Sequence, residues 1–241
     1  MSEALARRLI AEFTGTGVLV AVVAGSGIAA SRLTGDGALR LLVCSLVTAA
    51  GLAVLVVVLT PAGGAQFNPV VTGSDWVLAR GTPRGYGAAE ALAVILCQVA
   101  GAVGGAALAD LMFSEPVLAV SRTHRGGAGV LAGEVVATAG LLLVVVGLAR
   151  SGLGRHVPWA VGAWIGAAYW FTSSTSFANP AVTIGRALTD TYAGIAPASV
   201  PGFIAAQVAG GALGTVLAVV VCPARRDGAG AGVREPARLA G

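Results

Sequence analysis

The chain has 241 residues, of which 56% are hydrophobic and 11% are charged, and its formal net charge is +4. Soluble domains are typically about 45–50% apolar, so this composition excludes an ordinary soluble domain. Apolar stretches of roughly 17–25 residues cross a bilayer as helices. Six such stretches occur, at about residues 9–30, 39–60, 88–109, 129–148, 157–175 and 203–222.

The positive charges indicate how the chain is oriented. All fifteen are arginines, and an N-terminus in the cytoplasm puts ten of them on the cytoplasmic side and five outside. This excess predicts that both termini are cytoplasmic in a multi-pass protein of the cell membrane. The net charge then reports topology, and no nucleic-acid partner is expected. The ten are Arg7, Arg8, Arg80, Arg84, Arg150, Arg155, Arg225, Arg226, Arg234 and Arg238.

The first and fourth apolar stretches each carry a glutamate near their start. Glu12 is followed four residues later by Thr16, and Glu134 by Thr138 at the same spacing. A carboxylate at membrane depth is costly unless it has polar partners. We therefore expect both glutamates to face the protein interior; the alternative is that each reaches from a helix end to the lipid headgroups.

Two loops share the pattern Asn-Pro-x-Val-Thr. They read Asn68-Pro69-Val70-Val71-Thr72 and Asn179-Pro180-Ala181-Val182-Thr183, 111 positions apart. An Asn before Pro favours a helix start, with Asn as the cap and Pro at the first helical position. Residues 69–79 and 180–189, too short to span a membrane, are predicted to be half-helices.

A tetrapeptide also recurs, as Gln98-Val99-Ala100-Gly101 and Gln207-Val208-Ala209-Gly210. Small residues around each copy favour close helix packing, and each buried glutamine needs a polar partner. The chain thus contains an internal repeat, whose first half covers about residues 8–110 and whose second half covers about residues 129–222. Because each half has three spans, the second half must be inverted in the membrane.

The pattern predicts an all-α membrane protein of six transmembrane helices and two re-entrant half-helices in an inverted 3+3 repeat. Residues 1–222 are expected to form one channel domain, and residues 223–241 a disordered cytoplasmic tail. The half-helices point their positive N-terminal ends at one place, which disfavours cations. The side-chain amides of Asn68 and Asn179 are expected to donate into the lumen.

These residues resemble the aquaporin, or major intrinsic protein, family over about residues 8–222. The resemblance implies one pore per subunit, a homotetramer in the bilayer, and no cofactor, metal or enzymatic activity. It also implies a constriction and a set of residues that hold the pore loops. The implied constriction residues are Asn68, Pro69, Val70, Asn179, Pro180 and Ala181, and the implied loop supports are Glu12, Glu134, Gln98 and Gln207.

The sequence departs from the family pattern where selectivity is set. Counted without gaps from the two asparagines, the filter positions are Thr48, Ala167, Ser176 and Val182. The family commonly has arginine at the last position, so we expect a wider, uncharged and less aromatic filter. This resembles bacterial aquaglyceroporin-like channels associated with arsenic resistance, and implies passage of neutral arsenite, glycerol-like polyols and water.

The same residues are compatible with other interpretations. An ordinary water channel and, with less support, an ion-coupled secondary transporter are alternatives, and a purely structural role follows if Val70 closes the lumen. Arg186 either faces the outer vestibule or pairs with Asp190 at i, i+4 spacing. Tyr169 and the tryptophans are expected to anchor the protein at the lipid interface.

Overall fold

The computed structural model describes residues 2–222 and 224. The predicted tail, 223–241, lies outside the described residues except for Ala224. The described chain forms eight α-helices joined by loops and short 3₁₀ turns. They are α1 (Glu3–Leu33), α2 (Gly37–Leu59), α3 (Pro69–Ala79), α4 (Ala88–Met112), α5 (Ala128–Arg150), α6 (Val157–Phe171), α7 (Pro180–Arg186) and α8 (Val200–Val221). The predicted all-α membrane fold is confirmed.

Five of the six long helices are long and apolar enough, by length and composition, to cross a membrane. The sixth, α6, has only 15 residues, or about 22 Å at 1.5 Å per residue. It ends four residues earlier than the predicted segment 157–175, because the Thr172 backbone is extended (φ −105°, ψ 139°). The Thr172 hydroxyl donates to the Ala168 carbonyl at 2.7 Å and caps this end.

The two halves pack in the same way. Helix α1 packs on α2 and α4 as α5 packs on α6 and α8, while α2 contacts α6 across the centre. Each half-helix contacts the last helix of its own half and the last helix of the other half, so that α3 touches α4 and α8, and α7 touches α8 and α4. The half-helices therefore meet at the junction of the halves and also contact each other.

Glycines allow the long helices to approach backbone to backbone. A Cβ at Gly105 in α4 would lie 2.0 Å from the carbonyl oxygen of Gly17 in α1. In the second half, a Cβ at Gly214 would lie 2.0 Å from the carbonyl oxygen of Ala139. Both glycines lie seven residues after the repeated glutamines, so close packing places Gln98 and Gln207 at equivalent depths inside the bundle.

Both half-helices begin as predicted, at the proline of an Asn-Pro pair. The Asn68 side chain accepts a hydrogen bond from the Val70 N–H at 3.0 Å, and the Asn179 side chain accepts from the Ala181 N–H at 3.0 Å. The second half-helix ends at Arg186, three residues before the predicted end at 189.

Candidate functional site

The loops that precede the half-helices share an unusual backbone. Ala65 and Phe67 have φ of 48° and 50°, and Ser176 and Ala178, each 111 positions further on, have φ of 50° and 48°. Residues other than glycine adopt this left-handed region at a cost of about 1–3 kcal/mol each. Such strain persists only where surrounding contacts hold the loop in place.

Glu12 supplies those contacts in the first loop. Its carboxylate accepts hydrogen bonds from the N–H groups of Gln66 at 2.8 Å and Phe67 at 2.7 Å. Gln98 donates to the same carboxylate at 2.8 Å and to the Thr72 hydroxyl at 2.8 Å. Glu12 is fully buried, so it does not reach the headgroups.

Glu134 makes the equivalent contacts in the second loop. It accepts from the N–H groups of Phe177 at 2.8 Å and Ala178 at 2.9 Å. Gln207 donates to its carboxylate at 2.6 Å and to the Thr183 hydroxyl at 2.8 Å. Each buried carboxylate thus has three donors, which compensate for its loss of hydration.

The two asparagines tie the loops to each other. The Asn68 side-chain amide donates to the Ala178 carbonyl oxygen at 2.8 Å, and the Asn179 amide donates to the Phe67 carbonyl oxygen at 2.7 Å. An amide NH₂ has two hydrogens, so one hydrogen of each asparagine is used between the loops and the other makes no hydrogen bond within the described residues. The repeat alone did not predict these cross-loop hydrogen bonds.

A cavity of about 910 Å³ passes between the two asparagines. One end lies beside Arg84 and Arg150 (the Arg84 mouth) and the other beside Thr48 and Arg186 (the Arg186 mouth). Thr48 and Val56 both line it and lie eight residues apart on α2, which corresponds to about 12 Å along the helix. Between the mouths its walls are largely aliphatic, including Leu52, Val56, Leu141, Leu142, Val145, Val146, Val161 and Ile165.

Of the six predicted constriction residues, only Asn68 and Asn179 line this cavity. Pro69, Pro180 and Ala181 lie behind the asparagines. Val70 also faces away, because it packs into the space left by Gly211 on α8, where a Cβ would lie 2.0 Å from the Val70 side chain. Val70 therefore does not form part of the constriction, and it does not close the lumen.

Three of the four predicted filter residues, Thr48, Ser176 and Val182, line the Arg186 mouth. Ala167 does not, because it lies on the exposed face of α6. Tyr169, two residues later, lines the cavity instead, and its hydroxyl lies 3.2 Å from the Thr48 hydroxyl.

The count without gaps gives Ala167, two residues before Tyr169. Because two residues along a helix rotate the side-chain direction by about 200°, Ala167 and Tyr169 lie on opposite faces of α6. The signal that finds the lumen face of α6 is its i, i+4 stripe of Val157, Val161, Ile165 and Tyr169. Tyr169 is therefore not a lipid-interface anchor: it is 5% exposed and makes this mouth more aromatic than expected.

Arg186 also lines this mouth and is only 4% exposed. The predicted alternative, an i, i+4 pair with Asp190, does not form, because α7 ends at Arg186 and Asp190 lies beyond the helix. Asp190 instead accepts from the backbone N–H of Arg122 at 3.0 Å and from its guanidinium at 2.7 Å. These hydrogen bonds lower the pKa of the Asp190 carboxyl.

A network of charged and polar groups surrounds the Arg84 mouth. Arg8 pairs with Glu90 at 3.1 Å, and its guanidinium carbon lies 4.6 Å from the centre of the Tyr86 ring. The Tyr86 hydroxyl donates to Asp75 at 2.9 Å. Burial raises the pKa of the Tyr86 phenol, so this donor keeps its proton at neutral pH.

Within the described residues, no group of three or more His, Cys, Asp or Glu side chains could hold a metal ion. Cys44, Cys97 and Cys222 are free thiols. His124 and His156 are exposed. The site therefore consists of hydrogen-bonding groups at the loops and mouths and an aliphatic passage between them.

Six membrane helices, two half-helices that meet at their N-termini and a cavity between their capping asparagines define a membrane channel. The sequence profile of the family described as Major intrinsic protein matches residues 1–176. The chain belongs to this family. Its members are channels, so the chain is a channel and not an enzyme.

Individual proteins with similar sequences or structures support this family assignment. The chain is 46% identical over 209 residues to the aquaglyceroporin AqpS of Rhizobium meliloti, covering 86% of each chain. It is 31% identical over 202 residues to aquaporin C of Dictyostelium discoideum, covering 77% of this chain and 71% of the relative. The solved aquaglyceroporin of Plasmodium falciparum superposes with a TM-score of 0.69 at 17% identity, covering 90% of this chain and 97% of that one, and shows the same fold.

Proposed function

We propose that the channel, formed by residues 1–222, passively conducts small uncharged solutes: water, glycerol-like polyols and neutral metalloid hydroxides such as arsenite. The observation that carries the proposal is the 910 Å³ cavity, whose aliphatic walls cannot replace the hydration shell of an ion. Hydrogen bonds are offered by Asn68 and Asn179 midway and by hydroxyls at the Arg186 mouth. A relative that is named an aquaglyceroporin supports the same solutes.

The geometry favours a polyol-conducting channel over a channel for water alone. Val182 lines the cavity at the position three residues after Asn179, so no guanidinium narrows the lumen at that level. A solute with several hydroxyls then meets Thr48 and Tyr169 at the same mouth.

An ion-coupled transporter requires an ionisable coupling site near the membrane midplane. The buried carboxylates of Glu12 and Glu134 are each occupied by two backbone N–H groups and a glutamine. Neither lines the cavity. This arrangement supports a passive pore.

The test is stopped-flow measurement of water, glycerol and arsenite fluxes in proteoliposomes. We expect all three to exceed those of protein-free vesicles. Val145→Trp should abolish them, because Val145 lines the cavity. Val136→Trp is the matched control, since Val136 lies on the outer face of the same helix with 49% exposure. Water flux without glycerol or arsenite flux would support the water-channel alternative instead.

The protein is further proposed to lie in the plasma membrane with both termini in the cytoplasm. Arg8 lies at the Arg84 mouth, and Arg150, which lines the same mouth, donates to the Cys222 carbonyl oxygen at 2.9 Å near the end of α8. The two termini are therefore on one side, and the arginine excess assigns that side to the cytoplasm. Reporter fusions at each terminus test this orientation.

A homotetramer is proposed from the family and from the apolar outer surface. Helix α2 exposes Leu46, Val54 and Val58 with 61%, 53% and 64% exposure, a face suited to lipid or to another subunit. Native mass spectrometry of protein released from nanodiscs should show four copies. A monomeric mass in mild detergent and in nanodiscs alike would contradict this.

A further inference from the structure

The Arg186 mouth contains a positive charge that the gap-free comparison of filter positions does not predict. Val182 and Arg186 are one helical turn apart on α7, and both line the cavity. Residues at i and i+4 share a helix face. The charge is thus present on the lumen face of the half-helix, one turn further from Asn179 than the position occupied by Val182.

The surrounding structure holds the Arg186 side chain in one place. Its Nε donates to the Ala193 carbonyl oxygen at 2.5 Å, and its guanidinium carbon lies 3.4 Å from the centre of the Phe177 ring. Arg125 lies over the same ring at 5.3 Å and donates to the Gly194 carbonyl oxygen at 2.8 Å. The guanidinium is therefore fixed by an aromatic ring and a backbone carbonyl.

No acidic side chain among the described residues pairs with Arg186. Asp190 pairs with Arg122 at 2.7 Å, and Glu134 is occupied by the second loop and Gln207. The Nη nitrogens of Arg186 have no hydrogen-bond acceptor among the described residues, and Arg186 lines both the passage and a smaller cavity of about 100 Å³ beside it. A guanidinium without an ion-pair partner among the described residues therefore lies at the passage.

We propose that Arg186 is the charge filter of this channel, excluding cations and offering its Nη donors to the oxygens of uncharged solutes. It acts with Thr48 and Tyr169, which line the same mouth. The matching solute is a small neutral molecule with two or more adjacent hydroxyls, since a planar guanidinium presents paired donors. This inference rests on the proposed passive conduction of neutral solutes and adds the residue that sets its charge selectivity.

The experiment compares potassium permeability and glycerol flux in proteoliposomes containing wild-type protein and Arg186→Gln. We expect the variant to conduct glycerol at a lower rate, because glutamine offers fewer donors, and to raise potassium permeability by about tenfold or more, given the strength of a unit charge at close range. Arg122→Gln is the matched control, because Arg122 is a surface arginine with 89% side-chain exposure. It should leave both fluxes unchanged.

A charge-relocation variant strengthens the test. In Val182→Arg/Arg186→Gln the guanidinium moves one turn along the lumen face, and potassium exclusion should return. If Arg186→Gln conducts glycerol but excludes potassium as well as wild type does, the proposal is overturned. If wild-type protein conducts no glycerol, the proposed function fails first, so the two failures are distinguishable.

Arg186→Lys keeps the proposal testable if the glutamine variant does not fold. A buried lysine loses its proton at a lower pH than an arginine in the same place, because its ordinary pKa is lower. The titratable and charged groups near this position are Tyr169, Arg125, Glu134 and Cys44. Potassium permeability of the lysine variant should rise with pH while wild-type protein stays impermeable. A permeability that equals the wild-type value at every pH would overturn the assignment.

Discussion

Glu12 and Glu134 bring carboxylates into the centre of a membrane protein, and each is fully buried. Both hold two backbone N–H groups of a loop whose residues adopt positive φ. The carboxylates therefore stabilise loop conformations that are unfavourable on their own. At the residue scale, the shape of the passage depends on these two side chains, neither of which lines it.

Replacing Glu134 with glutamine tests this dependence. The amide keeps the shape of the side chain but removes the charge and one acceptor, so a buried N–H of Phe177 or Ala178 loses its partner. We expect a loss of about 3 kcal/mol of stability, read as a lower melting temperature in detergent, and reduced glycerol flux. Glu115→Gln is the control, because Glu115 lies in the loop after α4 and pairs with the partly exposed Arg32 at the end of α1; equal losses in both variants would contradict this role.

Val182→Arg tests the width of the Arg186 mouth. A second guanidinium in the lumen should lower glycerol and arsenite flux by about tenfold or more, since oriented donors and bulk would narrow the passage. Water flux should fall much less. Val182→Met adds length without charge and separates the two effects. Unchanged glycerol and arsenite fluxes in the arginine variant would show that this position does not form the filter.

The helices and the repeat could be predicted from sequence because they depend on local signals. Apolar length predicted the spans, and the Asn-Pro pairs predicted both half-helix starts. The lumen face of α6 could not be predicted by counting back from Asn179. The conformation of the loop between α6 and Asn179 decides which α6 residue faces the lumen, and the count gave Ala167, whereas Tyr169, two residues later, lines the cavity. Arg186 was ambiguous because the end of α7 depends on contacts with a distant loop.

The two halves also differ in how their elements fit together. Val70 fills the space left by Gly211, whereas the positions repeated from them are Ala181 and Ala102. The larger residue on α3 is thus matched by the absence of a side chain on α8. A bulky residue after Asn-Pro is accommodated away from the lumen by this exchange.

Gly211→Ala should destabilise the protein by about 1–3 kcal/mol through overpacking against Val70. The double variant Val70→Ala/Gly211→Ala restores the arrangement of the other half, so its loss should be smaller than the sum of the single losses. Thermal unfolding of the four proteins in one detergent measures the coupling. Strictly additive losses would indicate that the two side chains do not share this space.

Two neighbouring glycines on α4, Gly104 and Gly105, differ in how closely they approach α1. Gly105→Ala would place a Cβ 2.0 Å from a backbone carbonyl oxygen, whereas the nearest atom to a Cβ at Gly104 is 3.9 Å away. We expect the first variant to lose about 2 kcal/mol and the second to be neutral or slightly stabilised, since alanine favours helix. Melting temperatures decide this, and similar values for both would rule out the close crossing of α1 and α4.

As a whole, the molecule is two inverted halves joined at a passage. The asparagine of each loop donates to a carbonyl of the other loop, so the halves are bound together at the point where a solute must pass. Such a structure has a fixed centre and hydrogen-bonding mouths. It is suited to diffusion down a gradient, since conduction requires no change between inward-open and outward-open states.

The most direct test of passive conduction is the rate of glycerol entry into proteoliposomes as a function of external glycerol, with and without a proton gradient. A channel predicts a rate that rises in proportion to concentration and is unchanged by the gradient, in wild-type protein and in Val136→Trp but not in Val145→Trp. Saturation of the rate, or acceleration by the proton gradient, would contradict the channel and indicate a transporter.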